Sequence, residues 1–181
     1  IMPFFSVKKV PLFGSVLSVF YLLALYFIDP ALYANFYLRI LVFFFILAFM
    51  VYSSVFTVYD INTSVRPFLK PPFLTFAIIA FWVQLTHVFI FNYVHPRQYG
   101  PEEPLSSLFR KADYDFQYRR LEAGGAPPIE FKKMKAEIES RQYGIDFSGA
   151  MKQYVYMLFP AFAIAMILAL LMQYRRLKEN V

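Results

Sequence analysis

The sequence predicts an all-α integral membrane protein with about four transmembrane helices and an extramembrane helical hairpin between the third and the fourth. Three observations predict it. The 181 residues are 59% hydrophobic and 21% aromatic against 17% charged, whereas a soluble domain carries about 45–50% apolar and about 25% charged residues. The apolar residues gather into four runs of spanning length and do not alternate with polar ones as the strands of a membrane barrel would. The charges gather elsewhere: the segment 96–152 holds ten of the 18 basic and nine of the 12 acidic residues.

The first run, 12–28, follows Lys8 and Lys9 and stops at Asp29-Pro30. It reaches the lower limit for crossing a hydrocarbon core of about 30 Å at about 1.5 Å per residue. The second, 36–59, contains LVFFFILAFMV and is long enough to span with some tilt. Only DPALYAN separates them, so the two form an antiparallel pair. In DINTSVRPFLKPP, two Arg/Lys-Pro pairs and a Pro-Pro predict a break in any helix. A third span, 73–94, follows and ends at His95-Pro96. The fourth, 154–174, closes on Arg175, Arg176 and Lys178, and Pro160 predicts a kink near its start. The expected organisation is therefore a tail and three spans in 1–95, the hairpin in 96–152, and the fourth span with a basic tail in 153–181.

Within the hairpin, Ser106 is placed to cap a helix through about Leu121, with Phe109, Ala112 and Phe116 on one face and Asp115 four residues before Arg119. Gly124-Gly125 stops that helix. Beyond Pro127-Pro128, a second helix puts Phe131, Met134 and Ile138 on one stripe and pairs Lys133/Glu137, Lys135/Glu139 and Glu137/Arg141. Both apolar stripes are narrow. They predict docking on a neighbour or on the membrane surface, not independent folding. Asp113/Asp115 and Glu102/Glu103 read as exposed loop charges.

Topology follows from the flanks. Lys8, Lys9, Arg66, Lys70, Arg175, Arg176 and Lys178 fall on one side of the spans, and the short connection opposite offers only Arg39. The positive-inside rule then places both termini on the cytoplasmic or matrix side, with the hairpin opposite. The sequon Asn62-Thr63-Ser64 falls on the inner side, close to two spans, where glycosylation is not expected. The chain opens Ile1-Met2-Pro3, which reads as the start of a processed precursor or as an incomplete start, with no retained secretory signal.

Several function classes drop out. With no cysteine there is no thiolate metal site, disulfide framework or cysteine nucleophile. The net charge of +6 comes largely from residues that flank apolar runs, where anionic headgroups lie, so nucleic acid is not the expected partner. Phosphate-binding loops, zinc-binding histidine pairs, serine-nucleophile motifs and internal repeats are missing from the sequence, and no metal site is expected. The span interiors carry no Asp or Glu, which argues against a carboxylate relay. Arg39 lies within a turn of a span end and is expected to snorkel to the headgroups.

His87, with Gln84 three residues before it and Thr86 beside it, is the one intramembrane cluster that could hold a cofactor. Its chemistry suits an axial haem ligand or a quinone hydrogen bond. A bis-histidine haem needs a second histidine on a facing helix, and His95 lies on the same one. An interhelical packing bond is therefore the preferred reading of His87 and Gln84. Ala161, Ala165 and Ala169 form a small-residue stripe, and Gly14 with Ser18 repeats the pattern once; both predict close helix packing.

The expected function is a non-catalytic accessory subunit of a multisubunit membrane complex, in a mitochondrial inner-membrane respiratory or ATP-synthase assembly, with both termini in the matrix. Its partners would be other membrane subunits and phospholipids. Lys8, Lys9, Arg66, Lys70, Arg175 and Arg176 would hold cardiolipin or another anionic lipid; no other cofactor is expected from this chain alone. The alternative is a redox membrane anchor in which His87 helps hold haem or quinone at a subunit interface.

Overall fold

The computed structural model describes residues 9–56, 66–100, 104–141, 143 and 146–179. Lys8, the last residues of the second predicted span, the Asn62 sequon and Glu102/Glu103 lie outside them. Among the described residues every regular element is helical. Four helical stretches are long and apolar enough to cross a membrane: Val10–Ile28, Phe36–Val55, Phe68–Tyr99 and Phe147–Arg175. The chain is an integral membrane protein.

Helix α1 (Val10–Ile28) opens with Pro11 in its first turn, where the missing N–H would have had no helical partner anyway. Asp29 ends it and caps the next element, its carboxylate accepting from Ala31 N–H at 2.8 Å. The DPALYAN connection is thus itself a short helix, α2 (Pro30–Ala34). Asn35 then starts α3 (Phe36–Val55) by accepting from Tyr37 N–H at 2.9 Å. Two small polar caps turn the chain around in seven residues.

Helix α4 (Arg66–Phe89) corrects the expected break, because it runs unbroken through Pro71 and Pro72. Both prolines sit in its second turn, so the N–H groups they lack would have reached only carbonyls at the very start of the helix. Pro72 is fully buried and contributes packing in exchange. The other end is corrected too. His95-Pro96 does not end the rod: α4 widens into a π-helical turn at Ile90–Val94 and continues as α5 (His95–Tyr99) until Gly100, at φ 76°, stops it. Pro96 follows directly on the wide turn, where the regular helical hydrogen-bond ladder is already interrupted.

Helix α6 (Leu105–Ala123) and helix α7 (Pro128–Ser140) form the hairpin, and α8 (Phe147–Glu179) returns across the bilayer. Ser106 does not cap α6. The helix begins two residues earlier, directly after Pro104, and Ser107 Oγ donates to the Pro104 carbonyl at 2.8 Å. Helix α8 starts before the predicted span, with the Asp146 carboxylate accepting from Gly149 N–H at 2.7 Å, and passes Pro160 without interruption. Its 33 residues reach about 50 Å at 1.5 Å each, so both ends stand clear of the hydrocarbon.

Helix α4 is the axis of the bundle, with α1, α3 and α8 each packed on it. Small residues set the distances. Ala161, Ala165 and Ala169 are at most 1% exposed, and their stripe is used inside this chain. Gly14 faces Ile79 and Phe49, and a β-carbon there would collide with Ile79 Cδ1. Ser18 is fully buried. Ser15 and Thr86 satisfy their hydroxyls by donating to carbonyls one turn back, at 2.7 and 2.8 Å.

The hairpin docks on its own bundle. Phe109 and Leu105 are buried in the main core, and Phe116 stacks on Phe36 at 4.1 Å between ring centres. Met134 and Ile138 are buried, and Phe131 meets Tyr118 at 5.2 Å. The two stripes read from the sequence are the faces that pack.

Ala165→Leu should overpack the α8 stripe and lower stability by about 1–3 kcal/mol, read as a fall in the melting temperature of the detergent-purified chain. Leu171→Ala, at an exposed position, is the comparison. Equal melting temperatures would mean that α8 is not seated through this stripe.

Candidate functional site

Gln84, His87 and His95 of the third span lie toward the hairpin end of the bundle. His87 and His95 are eight positions apart, which in an unbroken α-helix sets them about 80° apart around the axis. The wide turn at Ile90–Val94 acts as one inserted residue and narrows that angle to about 20°. Both imidazoles therefore meet the α1–α2 corner. Tyr33 is hydrogen-bonded to His87 Nδ1, and the Tyr26 hydroxyl lies 3.1 Å from His95 Nδ1 and 3.3 Å from Gln98 Oε1. The two tyrosine rings touch edge to face at 5.8 Å, and Phe109 of the hairpin closes on Tyr33 at 5.6 Å.

Burial raises the Tyr33 hydroxyl above the ordinary phenol range, with Arg39 opposing and Tyr26 adding to the shift. Tyr33 therefore stays a phenol. When it donates to Nδ1, the single histidine proton sits on Nε2.

Arg39 corrects another expectation, since it turns to the hairpin and not to the headgroups. Its Nη2 makes a 2.8 Å ion pair with Asp113 Oδ1 of α6, and its guanidinium carbon lies 4.5 Å over the Phe109 ring. Asp113 also stands 3.8 Å from Arg141, which in turn holds Glu137 at 2.6 Å. The Arg39 and Asp113 side chains are 26% and 16% exposed. Asp113 is therefore not a loose surface charge: its place on the inner face of α6 and the cation at the start of α3 explain each other.

Beneath this latch lies a cavity of about 270 Å³. His87, Gln84 and Arg39 supply its polar wall; Leu22, Val42, Phe43, Ile46, Phe76 and Ile164 are among its apolar residues. Gln84 is 4% exposed. Its amide nitrogen donates weakly to Met157 Sδ at 3.6 Å, while its Oε1 has no partner among the described residues. Arg39 Nε is likewise buried without one.

The structure thus joins Gln84 and His87 in one wall, and packs Gly14, Ser18, Ala161, Ala165 and Ala169 inside the bundle. Lys9, Lys70 and Arg175 are exposed at the other end, where Arg66 and Arg176 also lie in helices α4 and α8. Sequence reasoning missed Tyr26 and Tyr33. Near span ends, tyrosines look like interfacial anchors, and only the wide turn in α4 reveals which histidine each one meets.

Arg39→Gln and Asp113→Asn should be strongly non-additive in thermal unfolding, with a coupling of about 1–2 kcal/mol for a pair between fully exposed and fully buried. Additive effects would mean that the latch does not form in the purified protein.

Compared with protein-family models, with curated proteins and with solved structures, the chain finds no match, so these side chains are what a functional reading has to rest on.

Proposed function

We propose that the chain is a non-catalytic accessory subunit that scaffolds a larger membrane assembly, in a respiratory or ATP-synthase complex of the mitochondrial inner membrane. The observation that carries this reading is the fixed mounting of the hairpin. The cation at the start of α3 is held by Asp113, and Phe109 and Leu105 anchor α6 in the main core. A surface held this firmly outside the bilayer suits a role in presenting charge and shape to a neighbour. On its outer side Lys132, Lys133 and Glu130 are exposed, and Ile129 is 60% exposed.

Lys132→Glu with Lys133→Glu should release associated proteins from the complex extracted in mild detergent, while the melting temperature of the chain stays put. A wild-type chain that leaves the membrane as a stable monomer would overturn the reading.

Placement of the termini in the matrix rests on Lys9, Lys70 and Arg175, exposed at the end remote from the hairpin. In that membrane they would face cardiolipin, each worth about 1 kcal/mol near an anionic surface. Arg175→Gln with Arg176→Gln should reduce the acidic lipid retained in native mass spectrometry. Equal retention would leave these residues as topology signals alone.

The cavity beside His87 favours a second reading, a redox membrane anchor that holds a cofactor at this end of the bundle. Its support is the pair of unpartnered polar atoms, Gln84 Oε1 and Arg39 Nε, on a wall that His87 completes.

A further inference from the structure

We infer that the cavity between α3, α4 and α8 binds the head of a quinone or quinol, drawn from the bilayer. The inference deepens the second reading and rests on it, since both require a ligand beside His87. Size comes first. A cavity of about 150 Å³ can hold a benzene ring, and this one measures about 270 Å³, room for one substituted six-membered ring. A haem, with four pyrroles around its iron, overfills that space as the side chains stand.

Hydrogen bonding comes second. Buried polar atoms without partners are uncommon in folded proteins, and two lie in this wall. Gln84 Oε1 offers an acceptor and Arg39 Nε–H a donor. In the tautomer in which Tyr33 donates to Nδ1, His87 adds a second donor at Nε2. A quinol hydroxyl satisfies the first kind of group, and the oxygens of quinone or quinol satisfy the second. Phe43 and Phe76 provide aromatic surface beside the ring.

Charge comes third. The Arg39 cation is already compensated by Asp113 at 2.8 Å, so the cavity brings no spare positive charge to a carboxylate or a phosphate. An uncharged head with several oxygens fits better than a fatty acid or an anionic lipid. Access comes last: Phe43 on α3 with Met157 and Pro160 on α8 line the cavity and are exposed on the bundle surface. A head entering there leaves its apolar tail in lipid.

The test uses the full chain in nanodiscs, titrated by calorimetry with a short-tailed benzoquinone and its quinol against empty nanodiscs. Gln84→Leu removes the unpartnered acceptor, and Ile164→Phe fills the cavity from α8 while leaving every polar group in place. Melting temperatures check that both variants fold. Wild-type binding weakened at least tenfold in each variant supports the inference. Binding unchanged in either folded variant overturns it, as does binding of dodecanoate or cardiolipin but not of quinol. A haem titration separates the two levels. A Soret shift lost in His87→Leu, with no quinol binding, leaves the anchor reading standing and removes this inference, and binding of neither removes both.

Discussion

A backbone that crosses hydrocarbon has to close its hydrogen bonds on itself, and α4 does so while carrying two prolines near its start and a wide turn near its end. Every other span packs on this helix. The placement of the prolines confines their missing N–H groups to the first turns of the helix, at the mouth of the bundle. The wide turn changes the phase of the last stretch and so decides which side chains face the α1–α2 corner. Without it, His95 would rotate away from Tyr26, and the aromatic cluster that seats Phe109 would lose one wall.

The order of the spans, their short first connection and the two apolar faces of the hairpin were legible in the sequence because each rests on local periodicity. Phe109, Ala112 and Phe116 on one side and Met134 with Ile138 on the other repeat at helical spacing, and those faces pack. The ends of the third span were not legible. Pro71-Pro72 and His95-Pro96 are strong breakers as dipeptides, but their effect depends on position within a turn and on what buries them. Ser106 failed as a cap for a similar reason, since the chain direction set at Pro104 starts the helix before the serine is reached.

The candidate site was half legible. Gln84 and His87 stand out as polar residues in an apolar run, three positions apart and therefore on one helix face. Arg39 and Asp113 do not, because a cation near a span end and an acid in a charged segment are both ordinary alone. Their pairing is a property of the fold. It also changes what the cavity can accept, since a compensated arginine contributes a hydrogen-bond donor with little net field. A reading from sequence would credit that wall with a full positive charge and expect an anion.

The latch also sets an order of events during synthesis. Asp113 follows Arg39 by 74 residues, and the third span lies between them. The first two spans therefore enter the bilayer with Arg39 still exposed to headgroups and water, and α6 can reach it only after α4 has crossed and returned the chain to the same side. The ion pair is in this sense a late closure. It joins the first half of the molecule to the second, and it forms only when the three spans before it have the right orientation.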